Sequence, residues 1–408
     1  MTHPINAGDT AWILVCCSLV LLMTPALAFF YGGMVRKKNI LSTLTLSYVF
    51  MALIGVQWVL YGYSLAFGQD IGGLIGGLNF LGLAGVSAAP NPDYGATIPQ
   101  QVFVSFQMMF AVITPALITG AFVERVRFKT FLLFSLLWAT LVYDPLCHWV
   151  WGKGGWLREL GCLDFAGGTV VHIAAGFSAL AFAMAIGPRK GFPKTPMEPH
   201  NVPFTVLGAG LLWVGWFGFN AGSALAANGV AANALLTTNT SGAAAGLVWM
   251  LLSWLDGRPS TLGLATGMVV GLAAVTPASG FVTPLAAMLI GAVAAPISYY
   301  TIRFRERRRL DESLDVWACH GMASTWGMLA TGLFATVAVN GDGGNGLFYG
   351  DPGRFGVQLL AVIVTMIFSF GVTFILAKAL DWSIGLKVST MEEEVGLDIS
   401  SHGERAYS

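Results

Sequence analysis

Two histidines, His172 and His320, each lie inside a long apolar segment of the sequence. An ionisable side chain in the middle of a bilayer costs roughly 2.5 to 3.5 kcal/mol on insertion scales, so such residues usually face the interior of a helix bundle or a conduction path. Imidazole suits that position because its neutral form donates one hydrogen bond and accepts another. The alternative is that both histidines only pack between helices, with neighbouring groups satisfying their nitrogens.

Aromatic side chains that could hold a cation accompany these histidines. The segment 147–156 is rich in tryptophan and includes Trp151, and the face of an indole attracts a cation such as ammonium by roughly 0.5 to 2 kcal/mol. Phe106 and Phe110 are spaced so that a helix places them on one face. The competing interpretations are an interfacial aromatic belt for the tryptophans and plain helix packing for the phenylalanines.

Two polar residues lie close to the ends of apolar segments. Ser223 follows an aromatic and glycine-rich run that contains Phe219, and its hydroxyl could accept a hydrogen bond from a cation or, more commonly, bond back to its own helix. Asp164 could bind a cation directly. Because an acidic residue before a helix more often caps the first N–H groups, we expect Asp164 to act as a cap and to influence a cation through its negative field.

The composition excludes most other classes of protein. Only 10% of the 408 residues are charged, 55% are hydrophobic and the mean hydropathy is +0.70, against about 25% charged residues in a soluble domain. The cysteines show neither zinc-binding nor disulfide spacing, and no ligand pattern surrounds the two histidines. A proton relay for another cation should show further acidic or lysine residues inside the apolar segments, and there are almost none. We therefore predict an all-α polytopic membrane protein that is not an enzyme, with no metal, cofactor or nucleic-acid partner.

Apolar stretches of about 20 residues, long enough to cross a bilayer as helices, predict eleven transmembrane spans. Of the 21 Lys and Arg residues, all but Lys153, Arg158 and Arg354 fall on one side of the membrane if the N-terminus is outside. The positive-inside rule therefore predicts an outer N-terminus and a cytoplasmic C-terminus. The spans are approximately 9–31, 41–67, 98–122, 130–150, 165–187, 202–221, 235–255, 262–279, 284–302, 316–339 and 356–380.

Short echoes between the two halves of the chain indicate an inverted repeat. Phe30-Tyr-Gly-Gly resembles Phe219-Asn-Ala-Gly, Thr114-Pro-Ala matches Thr276-Pro-Ala, and the fifth and tenth spans each contain one histidine. A unit of five spans places its second copy upside down in the membrane, and such folds form their sites between the halves. We predict repeats over approximately 9–190 and 200–340, an eleventh helix at approximately 356–380, a transmembrane domain over 1–385 and a cytoplasmic regulatory tail over 386–408.

The longer motifs together resemble the ammonium transporter family (Amt/Rh/methylamine permease) over nearly the whole chain. The external tryptophan, the two phenylalanines and the tail resemble the bacterial and archaeal Amt branch more than the Rh branch. The motifs are Phe29-Phe-Tyr-Gly-Gly-Met-Val-Arg-Lys-Lys-Asn39, Asp164-Phe-Ala-Gly-Gly-Thr-Val-Val-His172, Gly215-Trp-Phe-Gly-Phe-Asn-Ala-Gly-Ser223, the pair His320-Gly321, and Gly396-Leu397-Asp398 followed by His402-Gly403-Glu404-Arg-Ala-Tyr407.

The resemblance implies a homotrimer in the inner (cytoplasmic) membrane with one pore in each subunit. It implies that the pore takes ammonium or methylammonium. We hypothesise that ammonium is deprotonated near the gate, that ammonia passes the histidines, and that a separate proton route along the histidines makes transport electrogenic. The alternatives are an ammonium sensor or a neutral NH3/CO2 gas channel of the Rh type. By resemblance, the external site comprises Phe106, Trp151 and Ser223, and the gate comprises Phe110 and Phe219. His172 and His320 line the pore. Asp164 matches a residue that is important for structure and for substrate affinity.

The tail is too polar to insert into the bilayer, yet apolar residues interrupt it in a way that is unlike a disordered segment. We expect it to dock on the cytoplasmic face, with Glu392 to Glu394 pairing with the arginines between Arg303 and Arg309. The resemblance implies a trimeric PII-type nitrogen regulatory protein as its partner. The residues assigned to this regulatory tail are Gly396, Leu397, Asp398, His402, Gly403, Glu404 and Tyr407.

The departure from the family pattern is Lys153, which makes the stretch after Trp151 longer and more basic than the glycine-rich family stretch. This residue brings positive charge towards the predicted external site.

Overall fold

The computed structural model describes residues 4–407, and helices dominate it. Within that range, nine helices are long and apolar enough to cross a membrane. They are α1 (Ala7–Met34), α2 (Lys37–Phe67), α3 (Gln100–Ala121), α4 (Phe128–Glu159, broken at 152–155), α5 (Gly168–Ile186), α6 (Val202–Gly222), α7 (Gly229–Leu255), α9 (Pro284–Arg307) and α11 (Pro352–Ile384). The all-α membrane class is thereby confirmed.

Two of the predicted spans, 262–279 and 316–339, hold shorter helices. These are α8 (Thr261–Val275) and α10, which consists of Trp317–Met322 and Ala323–Phe334. The first ends at Val275, and Pro277 follows two residues later with no N–H to continue the helical hydrogen bonds. The count of eleven spans stays a prediction. Two further helices, α12 (Thr390–Val395) and α13 (Leu397–His402), lie in the tail.

The starts of several helices are specified locally by a polar cap and a proline. The side chains of Asn201, Thr283 and Asp351 accept hydrogen bonds from backbone N–H groups at the starts of α6, α9 and α11. In each case a proline lies in the first turn, where its missing N–H is not needed. These caps fix where each helix begins.

The connections between the helices gather at two opposite ends of the bundle. The hairpin end carries two small antiparallel sheets, β1 (Asp70–Ile71) with β2 (Ile75–Gly76) and β3 (Pro90–Asn91) with β4 (Gly95–Pro99). The other end, which we call the tail end, carries the connections 122–127, 187–201 and 308–316 together with the C-terminal segment. Backbone hydrogen bonds join the connections of each end, for example Phe165 N–H to Pro277 O at the hairpin end and Val388 N–H to Arg125 O at the tail end.

Glycines let helices from the two predicted repeats approach closely. Along α1 and α6, a Cβ added to Gly215 would lie 2.3 Å from Met23 Cγ. Where α5 crosses α10, a Cβ added to Gly176 would lie 2.3 Å from Gly321 Cα. Small residues allow this approach between membrane helices, and the second crossing brings the two histidine-bearing helices together.

Both histidine-bearing helices begin with wide π-helical turns. Gly168–Ile173 opens α5 and contains His172, whereas Trp317–Met322 opens α10 and contains His320. π turns are rare and frequently occur at functional sites, although this chain has two others, at Trp58–Gly62 and Ala139–Tyr143.

A buried ion network joins the connections at the tail end. Glu124 bonds to Arg36 (3.0 Å) and Arg189 (2.8 Å), and Arg189 also bonds to Asp311 (2.7 Å). Burial alone would raise the pKa of Glu124, but the neighbouring Arg189 and Arg36 outweigh it and hold that pKa at about 2. The network therefore fixes four chain segments to one another as charged groups.

The tail docks on this end of the bundle. Asn39 Oδ1 accepts a hydrogen bond from Leu397 N–H (2.8 Å), and Asp398 accepts one from Ser42 N–H (2.8 Å), so the tail is joined to the start of α2. Gly396, at φ +104°, passes so close to Lys38 that a Cβ there would lie 2.6 Å from it.

The rest of the tail is also in contact with the bundle. The ring of His402 packs on Phe128 (5.1 Å between centroids), and the hydroxyl of Tyr407 lies 3.0 Å from His200 Nε2. Gly403 ends α13 in the left-handed region, and the next residue, Glu404, donates its N–H to the carbonyl of Asp398.

The predicted partners of the tail glutamates were wrong. Glu393 accepts a hydrogen bond from the backbone of Lys190 and lies 3.6 Å from Lys387 Nζ, while Glu394 pairs with the side chain of Lys190. Glu392 closes a capping box with Ser389. Arg303 and Arg305 pair with Asp256 and Asp315, and Arg307 to Arg309 are exposed. The prediction failed because charge in the sequence does not say which basic connection lies nearest to the tail.

Candidate functional site

A cavity of about 360 Å³ opens at the hairpin end. The walls come from α3, α4 and the connections before α5 and after α6. All of the residues predicted for the external site line it, together with one gate residue and the capping aspartate: Phe106, Phe110, Trp151, Asp164 and Ser223. We call this cavity the vestibule.

Trp151 faces the vestibule, with its indole held in place at two points. Its Nε1–H donates to the carbonyl of Asp164 (2.9 Å). Its ring meets the ring of Phe110 edge to face, with 5.9 Å between centroids. The indole is thus fixed in a position that lines the vestibule and supplies aromatic surface of the kind that takes part in cation–π contacts.

Asp164 caps α5, as its position before the helix predicted. Its carboxylate accepts hydrogen bonds from the N–H groups of Gly167 (2.8 Å), Gly168 (2.6 Å) and Thr169 (2.7 Å), and a short one from the Thr169 hydroxyl. Gly167 has φ +114°, a backbone conformation that favours glycine. The hydrogen bonds of the carboxylate thus fix the geometry of the segment that leads into α5.

Ser223 lies at the end of α6 and donates its hydroxyl hydrogen to the carbonyl of Phe219 (2.8 Å). The hydroxyl thus bonds back to its own helix, as the commoner interpretation anticipated, and Ser223 also lines the vestibule. The oxygen retains lone pairs with which it can accept a further hydrogen bond.

Two phenylalanine rings close the floor of the vestibule. Phe110 and Phe219 lie 4.3 Å apart between centroids, at an interplanar angle of 36°, and each is 1% exposed. Phe106 packs edge to face on Phe110 at 5.0 Å. The rings leave no open channel between the vestibule and the interior.

The two histidines meet directly beneath this floor. Their Nδ1 atoms lie 3.3 Å apart and their rings are nearly parallel, at 21°. The ring of His172 also lies beside those of Phe219 (5.9 Å between centroids) and Trp216 (5.4 Å). His172 Nε2 is buried without a hydrogen-bond partner among residues 4–407.

Small cavities continue from the histidines towards the tail end. One of about 10 Å³ is lined by His172, His320, Trp216 and aliphatic side chains. The next, of about 30 Å³, is lined by His320, Tyr31, Asp315 and Cys319. The vestibule, the phenylalanine rings, the histidines and these cavities thus form one series from end to end.

Two basic side chains at the mouth of the vestibule have local partners. Lys153, the residue that departs from the family pattern, lies 2.7 Å from Asp93, so its charge is compensated locally. Arg158 lies over the ring of Tyr94 and donates to the carbonyl of Trp151. His148 is fully buried and bridges the carbonyl of Ala66 and the carboxylate of Asp70, a structural contact.

Sequence reasoning missed two buried features of the interior. Trp216 lies beside the ring of His172 and donates to Thr276 Oγ1 (2.9 Å). Its place in the aromatic run of α6 was the available signal. Asp144 is an acidic residue inside a predicted span, and its carboxylate accepts a hydrogen bond from Gln57 (2.8 Å). That pair lies away from the cavities described above.

No group of three or more potential metal-binding side chains occurs in the described part of the chain. All five cysteines are free thiols.

Comparison with known proteins places the chain in one family. The family model described as Ammonium Transporter Family matches residues 11–407. The chain is 51% identical over 401 residues to the ammonium transporter Amt1 of Archaeoglobus fulgidus, covering 98% of this chain and 99% of that protein.

Solved structures give the same result. The fold is similar to the crystal structure of Candida albicans Mep2, with a TM-score of 0.91 and 36% identity over 99% of this chain and 91% of that one. It is also similar to a sensor Amt protein, with a TM-score of 0.90 and 30% identity over 97% and 98% of the two chains. The chain is therefore a multi-pass membrane protein that belongs to the ammonium transporter family.

Proposed function

We propose that this protein recruits ammonium in the vestibule, transfers a proton from it to the histidine pair beneath the phenylalanine floor and conducts the resulting ammonia past the paired histidines. The observation that carries the proposal is the continuous series from Trp151 through Phe110 and Phe219 to His172 and His320. In this proposal the protein is a transporter and not an enzyme, because ammonium is moved across the membrane and no covalent product is made.

Each part of the series answers a physical requirement of ammonium selectivity. Ammonium and K⁺ are similar in size, so a site must use the N–H donors of ammonium and its dissociable proton. The π-faces and the Ser223 oxygen hold the cation. The apolar rings of Phe110 and Phe219 oppose any ion that cannot lose its charge, because burying a charge in apolar surroundings is costly.

The histidine pair offers both a hydrogen-bond donor and a hydrogen-bond acceptor to a neutral ammonia molecule in the pore. The short Nδ1–Nδ1 contact leaves one nitrogen as donor and the other as acceptor. The two Nε2 atoms then have opposite roles, so one can donate to the lone pair of ammonia and the other can accept from its N–H. A proton that moves separately along this pair would make transport electrogenic, and this is the version that we propose.

We further propose eleven spans, an inverted five-plus-five repeat and a homotrimer in the inner (cytoplasmic) membrane, with the tail end in the cytoplasm. The packing of α1 on α6 and of α5 on α10 supports the repeat, because equivalent helices meet. The concentration of Lys and Arg at the tail end supports this orientation. The docked tail, including Gly396 to Asp398, supports a cytoplasmic regulatory role with a PII-type partner.

An ammonium sensor is the second candidate, because a sensor Amt protein is among the similar structures. A sensor requires ligand binding but not flux. A neutral gas channel of the Rh type, in contrast, requires flux without charge.

Current measurement in reconstituted membranes separates these candidates. An ammonium pulse should produce an inward current in proteoliposomes with the wild-type protein and none in empty liposomes. A clear ammonium-dependent pH change without current would overturn the electrogenic version in favour of neutral conduction. The absence of both signals, with ammonium binding retained, would favour the sensor.

A further inference from the structure

Gln358 connects the eleventh helix to the vestibule. It lies on α11, outside the predicted repeats, and its side chain is fully buried. Its Oε1 accepts a hydrogen bond from Leu163 N–H (2.9 Å), and its Nε2 donates to Leu163 O (2.7 Å). One side-chain amide therefore satisfies both backbone groups of a single distant residue.

The residue that it holds is adjacent to Asp164. Leu163 is only 8% exposed, so its backbone groups have little access to water. Buried backbone N–H and C=O groups require partners, and this segment precedes α5 without belonging to a helix or strand. Gln358 supplies the partners that secondary structure would otherwise provide.

Asp164 in turn orients two parts of the site. Its carbonyl receives the indole N–H of Trp151, and its carboxylate caps the turn of α5 that carries His172. On its other side, Phe165 N–H bonds to Pro277 O (3.1 Å). A displacement of Leu163 would therefore be passed to Trp151 through one peptide unit.

We propose that Gln358 is a positioning residue for substrate affinity, acting through Leu163 and Asp164 on the orientation of Trp151. The inference rests on the proposed function, since it assumes that Trp151 binds the cation. It assigns α11 a role in the pore, although this helix contributes no lining residue to the vestibule.

The first test separates affinity from capacity. Gln358→Met keeps the length of the side chain and removes both hydrogen bonds to Leu163, together with a longer one to Met328 O (3.4 Å). The apparent KM for methylammonium should rise about threefold, as expected if part of one cation–π contact is lost. The maximal rate should change less. Thr365→Val on the same helix is the matched control, because the Thr365 hydroxyl is buried without a hydrogen-bond partner in the described chain.

Gln358→Glu tests the hydrogen bonds themselves. A protonated glutamic acid can accept from Leu163 N–H and donate to Leu163 O, whereas an ionised one can only accept. At mildly acidic pH this variant should therefore have a wild-type KM, and Gln358→Met should not. If both variants keep the elevated KM at acidic pH, or if Gln358→Met has a wild-type KM, the proposal is overturned.

A double variant tests the route. In a Trp151→Leu background, Gln358→Met should add little to the KM, because both changes act on one contact and neighbouring effects are not additive. An additional increase equal to that seen in the wild-type background would show independent action and overturn the route through Trp151. If the wild-type protein itself shows no transport, the proposed function is refuted instead.

Discussion

Between His172 Nδ1 and His320 Nδ1 there is space for one proton, at a separation of 3.3 Å. Both rings are almost completely buried, at 1% and 3% exposure. A buried polar group is costly unless it is hydrogen-bonded, so each ring depends on the other. The plain packing interpretation would satisfy both rings fully, but His172 Nε2 has no partner within residues 4–407.

Replacing either histidine with alanine should abolish or strongly reduce methylammonium uptake. The remaining imidazole would lose its partner, and the interior would offer only one of the two hydrogen-bonding polarities. Uptake into proteoliposomes measures the effect, and the amount of assembled protein in the membrane is the control. Uptake near the wild-type level in both variants would return the histidines to a packing role.

Trp151→Leu should weaken the apparent affinity for ammonium without abolishing conduction. The change removes one cation–π contact, which corresponds to a loss of affinity of roughly tenfold or less. The concentration dependence of the ammonium-induced current measures it. Trp254→Leu, an exposed tryptophan near the end of α7, is the matched control. An unchanged concentration dependence for Trp151→Leu would assign Trp151 to an aromatic belt.

At the scale of the elements, hydropathy and charge predict most of the helices because lipid imposes a minimum apolar length. The nine helices that meet this length correspond to predicted spans. Hydropathy does not reveal the π turns at His172 and His320, because it reports the length and apolarity of a helix and not its hydrogen-bond register. The sequence pattern likewise gives no reason to pair Gln358 with Leu163.

The connections at the tail end should be acid-sensitive through Glu124. Its pKa is lowered from 4.5 to about 2, so its stabilising contribution is complete above pH 4.5 and is lost as the pH falls towards 2. By linkage this contribution is about 3 kcal/mol. Thermal unfolding of the purified protein across this range should show the loss.

Glu124→Gln is the variant that tests this assignment. It should be less stable at neutral pH, because Arg36 and Arg189 lose their buried partner. It should also lack part of the stability loss between pH 4.5 and 2. Glu198→Gln, at an exposed position, is the control and should follow the wild-type curve. A Glu124→Gln curve parallel to the wild-type curve would contradict the assignment.

At the scale of the whole molecule, the tail joins elements that are distant in the chain. It contacts the start of α2 through Leu397 and Asp398, the connection after α5 through Glu393, and the start of α4 through His402. The predicted docking to the tail end agrees with these contacts, whereas the predicted arginine partners do not. A partner that binds the tail would therefore act on several helices at once.

Deleting residues 388–408 should lower transport or uncouple the subunits, because these contacts would be lost. It should also abolish co-purification with a PII-type protein from cells exposed to an ammonium shock. Uptake by the truncated protein and its recovery in the membrane fraction measure the first effect. A truncated protein that transports normally and still binds the PII-type partner would refute the coupling role.

The phenylalanine floor has a consequence for osmosis. Rings 4.3 Å apart, above an interior cavity of about 10 Å³, leave room for about one water molecule and none for a continuous column. Vesicles that contain this protein should therefore swell no faster in dilute medium than vesicles of lipid alone. A cell can then carry many copies for scavenging nitrogen without becoming leaky to water.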